Sequence, residues 1–200
     1  ADEVRQSGAG RVIRSTVGRV DLAALQANVR SILDFLAHED PDEPRRADAP
    51  RTAPALIAVV KANAYGHGAE RVACVLEEAG ATMLACADIE EGIVLRRAGV
   101  RVPILVFGAL SVSDLDGLFE FTLTPTISTP SAARAVQAAA AKRHAAFGYH
   151  LKIDTGMNRL GFRHDNLRRT LPDLLASPNL RLAAAYTHFA TADEPGKGLF

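Results

Sequence analysis

Leu22, Leu25, Val29, Ile32, Leu33 and Leu36 recur at helical spacing, so the stretch after Asp21 predicts a helix with one apolar face. Asp21 has the side chain to cap that helix. Val17-Gly18-Arg19-Val20, just before it, reads as a short strand. From His38 to Pro54 the pattern stops. Pro41, Pro44, Pro50 and Pro54 alternate with charges, which predicts a surface loop.

Beyond Pro54 the pattern alternates between two kinds of segment. Leu56-Ile57-Ala58-Val59-Val60 is a continuous apolar run, as in a strand covered on both faces. Met83 to Ala87, Val102 to Phe107, Thr122 to Ile127, Gly148 to Ile153 and Leu182 to Tyr186 follow as further strands. Helices are expected between them: one carrying Val72, Val75 and Leu76, then Ile89 to Ala98, a short one near Leu115 to Phe119, the Ala-rich Ser131 to His144, and Leu167 to Leu175. The recurrence is close to the roughly 30 residues per unit of a (β/α)₈ barrel. A doubly wound open sheet would show the same alternation. As a barrel, the chain would hold about six of eight units. The expected organisation is a tail at 1–14, a strand and helix at 15–37, a loop at 38–54, and a partial barrel at 55–200. The chain lacks an initial Met and stops at Leu199-Phe200, so a fragment is expected. An open barrel exposes strand edges and apolar helix faces, so the isolated segment is expected to aggregate.

Charge narrows the function classes. Lys and Arg total 23 and Asp and Glu total 23, for no formal net charge. That argues against a nucleic-acid or anionic-membrane binder. No apolar run approaches the roughly 20 residues of a membrane helix. Ala1 to Arg14 lacks the apolar core of a signal peptide. Two cysteines, Cys74 and Cys86, are too few for a disulfide framework and read as small buried hydrophobes. A soluble cytoplasmic protein is expected.

Catalytic groups of parallel α/β folds gather at the carboxyl ends of strands. Polar clusters stand at such ends: Lys61 to Gly68, Lys152 to Gly161, and Thr187 to Asp193. Lys61 would sit at the mouth of an apolar layer, where desolvation favours the neutral amine that imine formation requires. It could equally reach out to solvent as an ordinary strand-end lysine. Gly66 and Gly68 bracket a turn whose backbone N–H groups could hold a phosphate, or are simply a strand–helix turn. Tyr65 could add a hydroxyl donor, and His67 reads as a turn residue. Arg159 suits a carboxylate or phenolate through paired donors, or a surface ion pair. Lys152 and Asp154 share one side of their strand and could satisfy each other. His188 is either a supporting donor or a satisfied core histidine.

Together, Val60-Lys61-Ala62-Asn63-Ala64-Tyr65-Gly66-His67-Gly68, Lys152-Ile153-Asp154-Thr155-Gly156-Met157-Asn158-Arg159-Leu160-Gly161 and Thr187-His188-Phe189-Ala190 resemble signatures of the alanine racemases. Their order and separations also match, from Arg19-Val20-Asp21-Leu22 onward, with the stretch from His38 to Pro54 as the main departure. The resemblance implies a (β/α)₈ barrel, a C-terminal β domain lying outside this chain, and a head-to-tail homodimer. It implies pyridoxal 5'-phosphate as cofactor, alanine as substrate, and D-alanine supply for peptidoglycan. It implies that Lys61 is the Schiff-base lysine and one of two bases. Tyr65 would contact the cofactor phosphate, and Arg159 the phenolic oxygen and the substrate carboxylate. Lys152 matches a position carbamylated in some members, where it orients the arginine. His188 matches a histidine that buttresses another arginine near the pyridine nitrogen. The second base is a tyrosine of the partner subunit in that family, and none of Tyr65, Tyr149 and Tyr186 matches it. A broad-specificity racemase, another Schiff-base barrel enzyme such as a decarboxylase, and an inactive piece stand as alternatives. The run Ala64-Tyr65-Gly66-His67 argues against the decarboxylases.

Overall fold

A computed structural model describes residues 17–37, 54–111, 115–194 and 196–197. The expected tail at 1–14 and nearly all of the expected loop at 38–54 lie outside the described residues.

The described chain begins with helix α1 (Leu22–Ala37). Asp21 caps it, its carboxylate accepting from the Ala24 N–H at 3.0 Å. Val29 is buried, and Leu22, Leu25 and Leu33 pack against the core. Ile32 is exposed, so the inward stripe is narrower than its apolar spacing suggests. Val17 to Val20 form no strand: all four residues are exposed and no ladder among the described residues takes them up.

The rest is a parallel sheet with helices between its strands. Its elements are β1 (Ile57–Val59), the short turn α2 (Lys61–Tyr65), α3 (Ala69–Glu78), β2 (Met83–Cys86), α4 (Ile89–Arg97), β3 (Ile104–Val106), α5 (Asp116–Glu120), β4 (Thr124–Ile127), α6 (Pro130–Lys142), β5 (Phe147–Asp154), β6 (Phe162–Arg163), α7 (Leu167–Leu175) and β7 (Leu180–Tyr186). β1 to β5 lie side by side in chain order, and β7 pairs with β5. Every pairing is parallel. Sequential parallel order is the barrel solution, where a doubly wound sheet would reverse direction from a central strand. The chain therefore forms part of a (β/α)₈-type barrel. β6 is a two-residue strand against the end of β5 that the apolar pattern does not reveal.

Register separates the two faces of the sheet. Ala58, Leu84, Ile104, Val106, Ile127 and Leu151 turn toward the helices and are buried. Here Gly92 lets α4 approach: a Cβ would come within 2.8 Å of Leu123 Cδ1 and 3.4 Å of Cys86 Sγ. Burial pushes the Cys86 thiol up to about 12, helped by the nearby Glu91 and Asp88 charges, so it packs as an inert hydrophobe. Cys74 is half-buried and donates to the Ala98 carbonyl. On the other face Ile57 and Val59 remain 43% and 42% exposed, so the inward side of β1 has open space beside it.

The amino edge of the sheet is tied together by Arg96. Its guanidinium donates to the carbonyls of Phe121, Val100, Val102 and Thr122 at 2.7–3.3 Å. A hollow of about 450 Å³ beside it, lined by Arg96, Val100, Arg101, Glu120, Phe121 and Thr122, opens away from the carboxyl edge. Among the described residues no helix is long and apolar enough to cross a membrane.

Candidate active site at the carboxyl edge

β1, β5 and β7 run parallel, so the segments following them emerge at one edge of the sheet. Lys61, Arg159 and His188 all follow such strand ends, and Lys152 lies near the carboxyl end of β5.

Lys61 is half-buried. Its ammonium stands 5.6 Å from the centre of the Phe107 ring and 5.8 Å from that of Tyr65. Phe107 follows β3 and shares the inward parity of Leu105. In the sequence Phe107 is the end of an expected strand. An aromatic residue at a carboxyl-edge position was the available signal.

The backbone after Lys61 departs from ordinary geometry. Ala62, Asn63, Ala64 and Tyr65 have φ of 51, 54, 52 and 55°. α2 is thus a left-handed turn, which costs about 1–2 kcal/mol per non-glycine residue. Such strain persists where surrounding contacts over-determine it, and it gathers at functional sites. Internal bonds offset part of it. The Gly66 N–H donates to the Ala62 and Asn63 carbonyls, His67 N–H to Ala64, and Gly68 N–H to Asn63. The Asn63 side-chain oxygen accepts from the Ala69 N–H at 2.7 Å. These donors are all occupied within the turn, which corrects the expectation that the Gly66–Gly68 amides could cradle a phosphate. The His67 ring bonds the Ala64 carbonyl, as befits a turn residue. Tyr65 is 60% exposed.

The second cluster is shaped by Asp154. Its carboxylate accepts from the N–H groups of Asn158 at 3.0 Å and Gly156 at 3.1 Å, and these bonds hold its carboxyl below the usual range. Asn158, at φ 55°, donates back to the Gly156 carbonyl. The loop so tied presents Arg159 exposed. Lys152 lies over the Tyr186 ring at 4.5 Å, and the Tyr186 hydroxyl meets Thr126 Oγ1 at 2.9 Å. Lys152 and Asp154 therefore each have other partners and do not simply satisfy one another. The third cluster joins the second through Thr155 Oγ1 and Thr187 Oγ1, 2.7 Å apart. His188 is exposed in this chain.

Burial lowers the Lys152 pKa, the Arg159 charge lowers it further, and Asp154 partly opposes them. With its pKa depressed, the Lys152 amine is neutral at a lower pH than a free lysine. Competitive acylation across a pH series should give Lys152 a midpoint below the ordinary 10.5. Arg159→Ala should move that midpoint upward. An unshifted midpoint in the starting protein would remove the argument.

The donor set fits a phosphorylated aromatic aldehyde. It offers an amine beside aromatic rings, a phenol hydroxyl and an exposed guanidinium, all at one edge. Among the described residues no cluster could hold a metal ion.

Known proteins resemble this chain over most of its length. The family described as "Alanine racemase, N-terminal domain" matches residues 20–199. An alanine racemase of Synechocystis sp. is 40% identical over 177 residues, covering 88% of this chain and 44% of that protein. The crystal structure of alanine racemase from D-cycloserine-producing Streptomyces lavendulae is similar at a TM-score of 0.75 and 32% identity, over 90% of this chain and 44% of that one. That of Bacillus anthracis with bound L-Ala-P is similar at a TM-score of 0.70 and 37% identity, over 88% and 42%. The chain spans about half the length of the curated relatives it matches.

Proposed function

Because the chain belongs to the alanine racemase family, we propose that the complete protein interconverts L- and D-alanine with pyridoxal 5'-phosphate held by Lys61. One observation carries the reading: the Lys61 ammonium stands at the carboxyl edge, 5.6 Å from the Phe107 ring and 5.8 Å from Tyr65. When bound, the cofactor supplies a conjugated sink for the electron pair left at the substrate α-carbon.

The side chains then divide the work. The Lys61 amine would hold the cofactor through its aldehyde, and the free amine would take or return the α-proton on the D-alanine side. Inversion requires a proton on the opposite face, so a second acid is needed; it comes from a partner subunit in a homodimer. The Tyr65 hydroxyl donates to the phosphate. Arg159 directs paired N–H donors at the phenolic oxygen and the substrate carboxylate. Lys152 orients Arg159, and its lowered pKa favours the neutral amine that carbamylation needs. His188 supports a further arginine from the remaining length. The product would be D-alanine for peptidoglycan, made in the cytoplasm.

The test is exchange of the alanine α-hydrogen in deuterated water by the complete protein. Exchange from both enantiomers is expected. Exchange with serine or lysine but none with alanine would overturn the substrate assignment.

A further inference from the structure

The left-handed turn after Lys61 is held from outside by one carboxylate. Glu91 Oε1 accepts from the Ala62 N–H at 2.6 Å, and Oε2 accepts from the Ala87 N–H at 2.8 Å. One side chain of α4 thus bridges the segments that follow β1 and β2. Glu91 is half-buried, its own N–H donates to Asp88 Oδ1 at 2.8 Å, and the neighbouring Gly92 keeps α4 tight against the core.

A glutamate at the third position of a helix ordinarily bonds back to the cap residue's amide, here that of Asp88. Glu91 reaches past that residue to Ala87, and across 29 positions to Ala62. Its second bond is foreign to helix capping. Ala62 is the first left-handed residue, and its N–H belongs to the peptide joining it to Lys61. A charge-assisted bond there fixes the plane from which the lysine side chain departs.

We propose that Glu91 is a positioning residue for Lys61, its carboxylate bridging Ala62 and Ala87 to hold the left-handed turn in register with the sheet. The inference rests on the reading of Lys61 as the cofactor lysine.

The test compares Glu91→Ala, Glu91→Gln and Asp88→Ala in the complete protein. One measurement is amide hydrogen exchange at Ala62 in the cofactor-free form. The other is borohydride-fixed labelling of Lys61 across a pyridoxal phosphate titration. In Glu91→Ala, Ala62 exchange should accelerate about 10-fold or more and labelling at a fixed cofactor level should fall comparably. Glu91→Gln keeps the side-chain size and one acceptor oxygen, so it should fall between and serves if the alanine variant fails to fold. Asp88→Ala weakens the α4 cap but leaves the bridge, so it should lower thermal stability while both measurements stay near the starting values. Unchanged Ala62 exchange and labelling in both Glu91 variants, or equal effects from Asp88→Ala, would overturn the positioning role. A starting protein labelled elsewhere than Lys61 would instead overturn the cofactor reading itself, and with it this inference.

Discussion

Lys61→Ala in the complete protein is expected to lose borohydride-fixed pyridoxal phosphate altogether and to lower alanine racemisation by about 10³-fold or more. Among the described residues no nearby group can take over both roles. An imine needs a primary amine, and Lys152, the other lysine close to the carboxyl edge, lies on the Tyr186 ring inside β5. Lys61→Arg should fail almost as badly, because a guanidinium neither condenses with an aldehyde nor surrenders its proton near neutrality. Peptide mapping provides the sharper check. The label should fall within Val60 to Gly68, and a label on Lys152 would sink the assignment. The fold should survive either substitution, since Lys61 is half-buried at an edge and the core beneath it is made by Ala58, Val60 and Leu84. A thermal transition close to that of the starting protein would separate lost chemistry from lost structure.

Gly161→Ala is expected to destabilise the protein by about 2–4 kcal/mol and to raise KM for alanine. Gly161 has φ of 129°, where side chains are strained whatever the space. Space is also lacking. An added Cβ would lie 2.7 Å from the Asp154 nitrogen, 2.9 Å from the Ile153 carbonyl carbon and 3.0 Å from the Lys152 oxygen. These are backbone atoms of β5 and cannot swing aside. Relief must come from moving β6 off β5, and the loop between them carries Arg159. The same substitution therefore disturbs the arginine as well as the fold. Gly148→Ala is the control: it lies in β5 itself, with nothing within 4 Å of the added Cβ. Equal melting temperatures and KM values for the two variants would dismiss the steric argument.

Much of this architecture was readable in one dimension. The continuous apolar run marked β1, and the alternation of strand-like with helix-like segments marked β2 to β5 and β7. α7 spans Leu167 to Leu175 as its spacing predicts. Asp21 is a cap because a carboxylate before a helix meets free N–H groups two or three residues on. These are local rules. Val17 to Val20 misled because a strand exists only if another segment pairs with it, and local composition cannot report the partner.

Lys61 stood out in the sequence because a lysine directly after an apolar strand is unusual, and Arg159 and His188 because they fall in polar clusters that follow strands. Their order identified the family. What surrounds them was decided by tertiary structure. Two glycines suggested open amides, but four consecutive left-handed residues turn those amides inward upon Asn63 and its neighbours. Phe107, Glu91 and Thr187 reach the site from separate strands and helices, brought there by parallel register. The sequence alone determined the alternation of strand and helix and singled out Lys61 as the candidate cofactor lysine, because both are carried by patterns read along the chain. The direction in which that amine points, and the groups that hold it, depend on hydrogen bonds such as that from Ala62 to Glu91 that form only when distant segments meet.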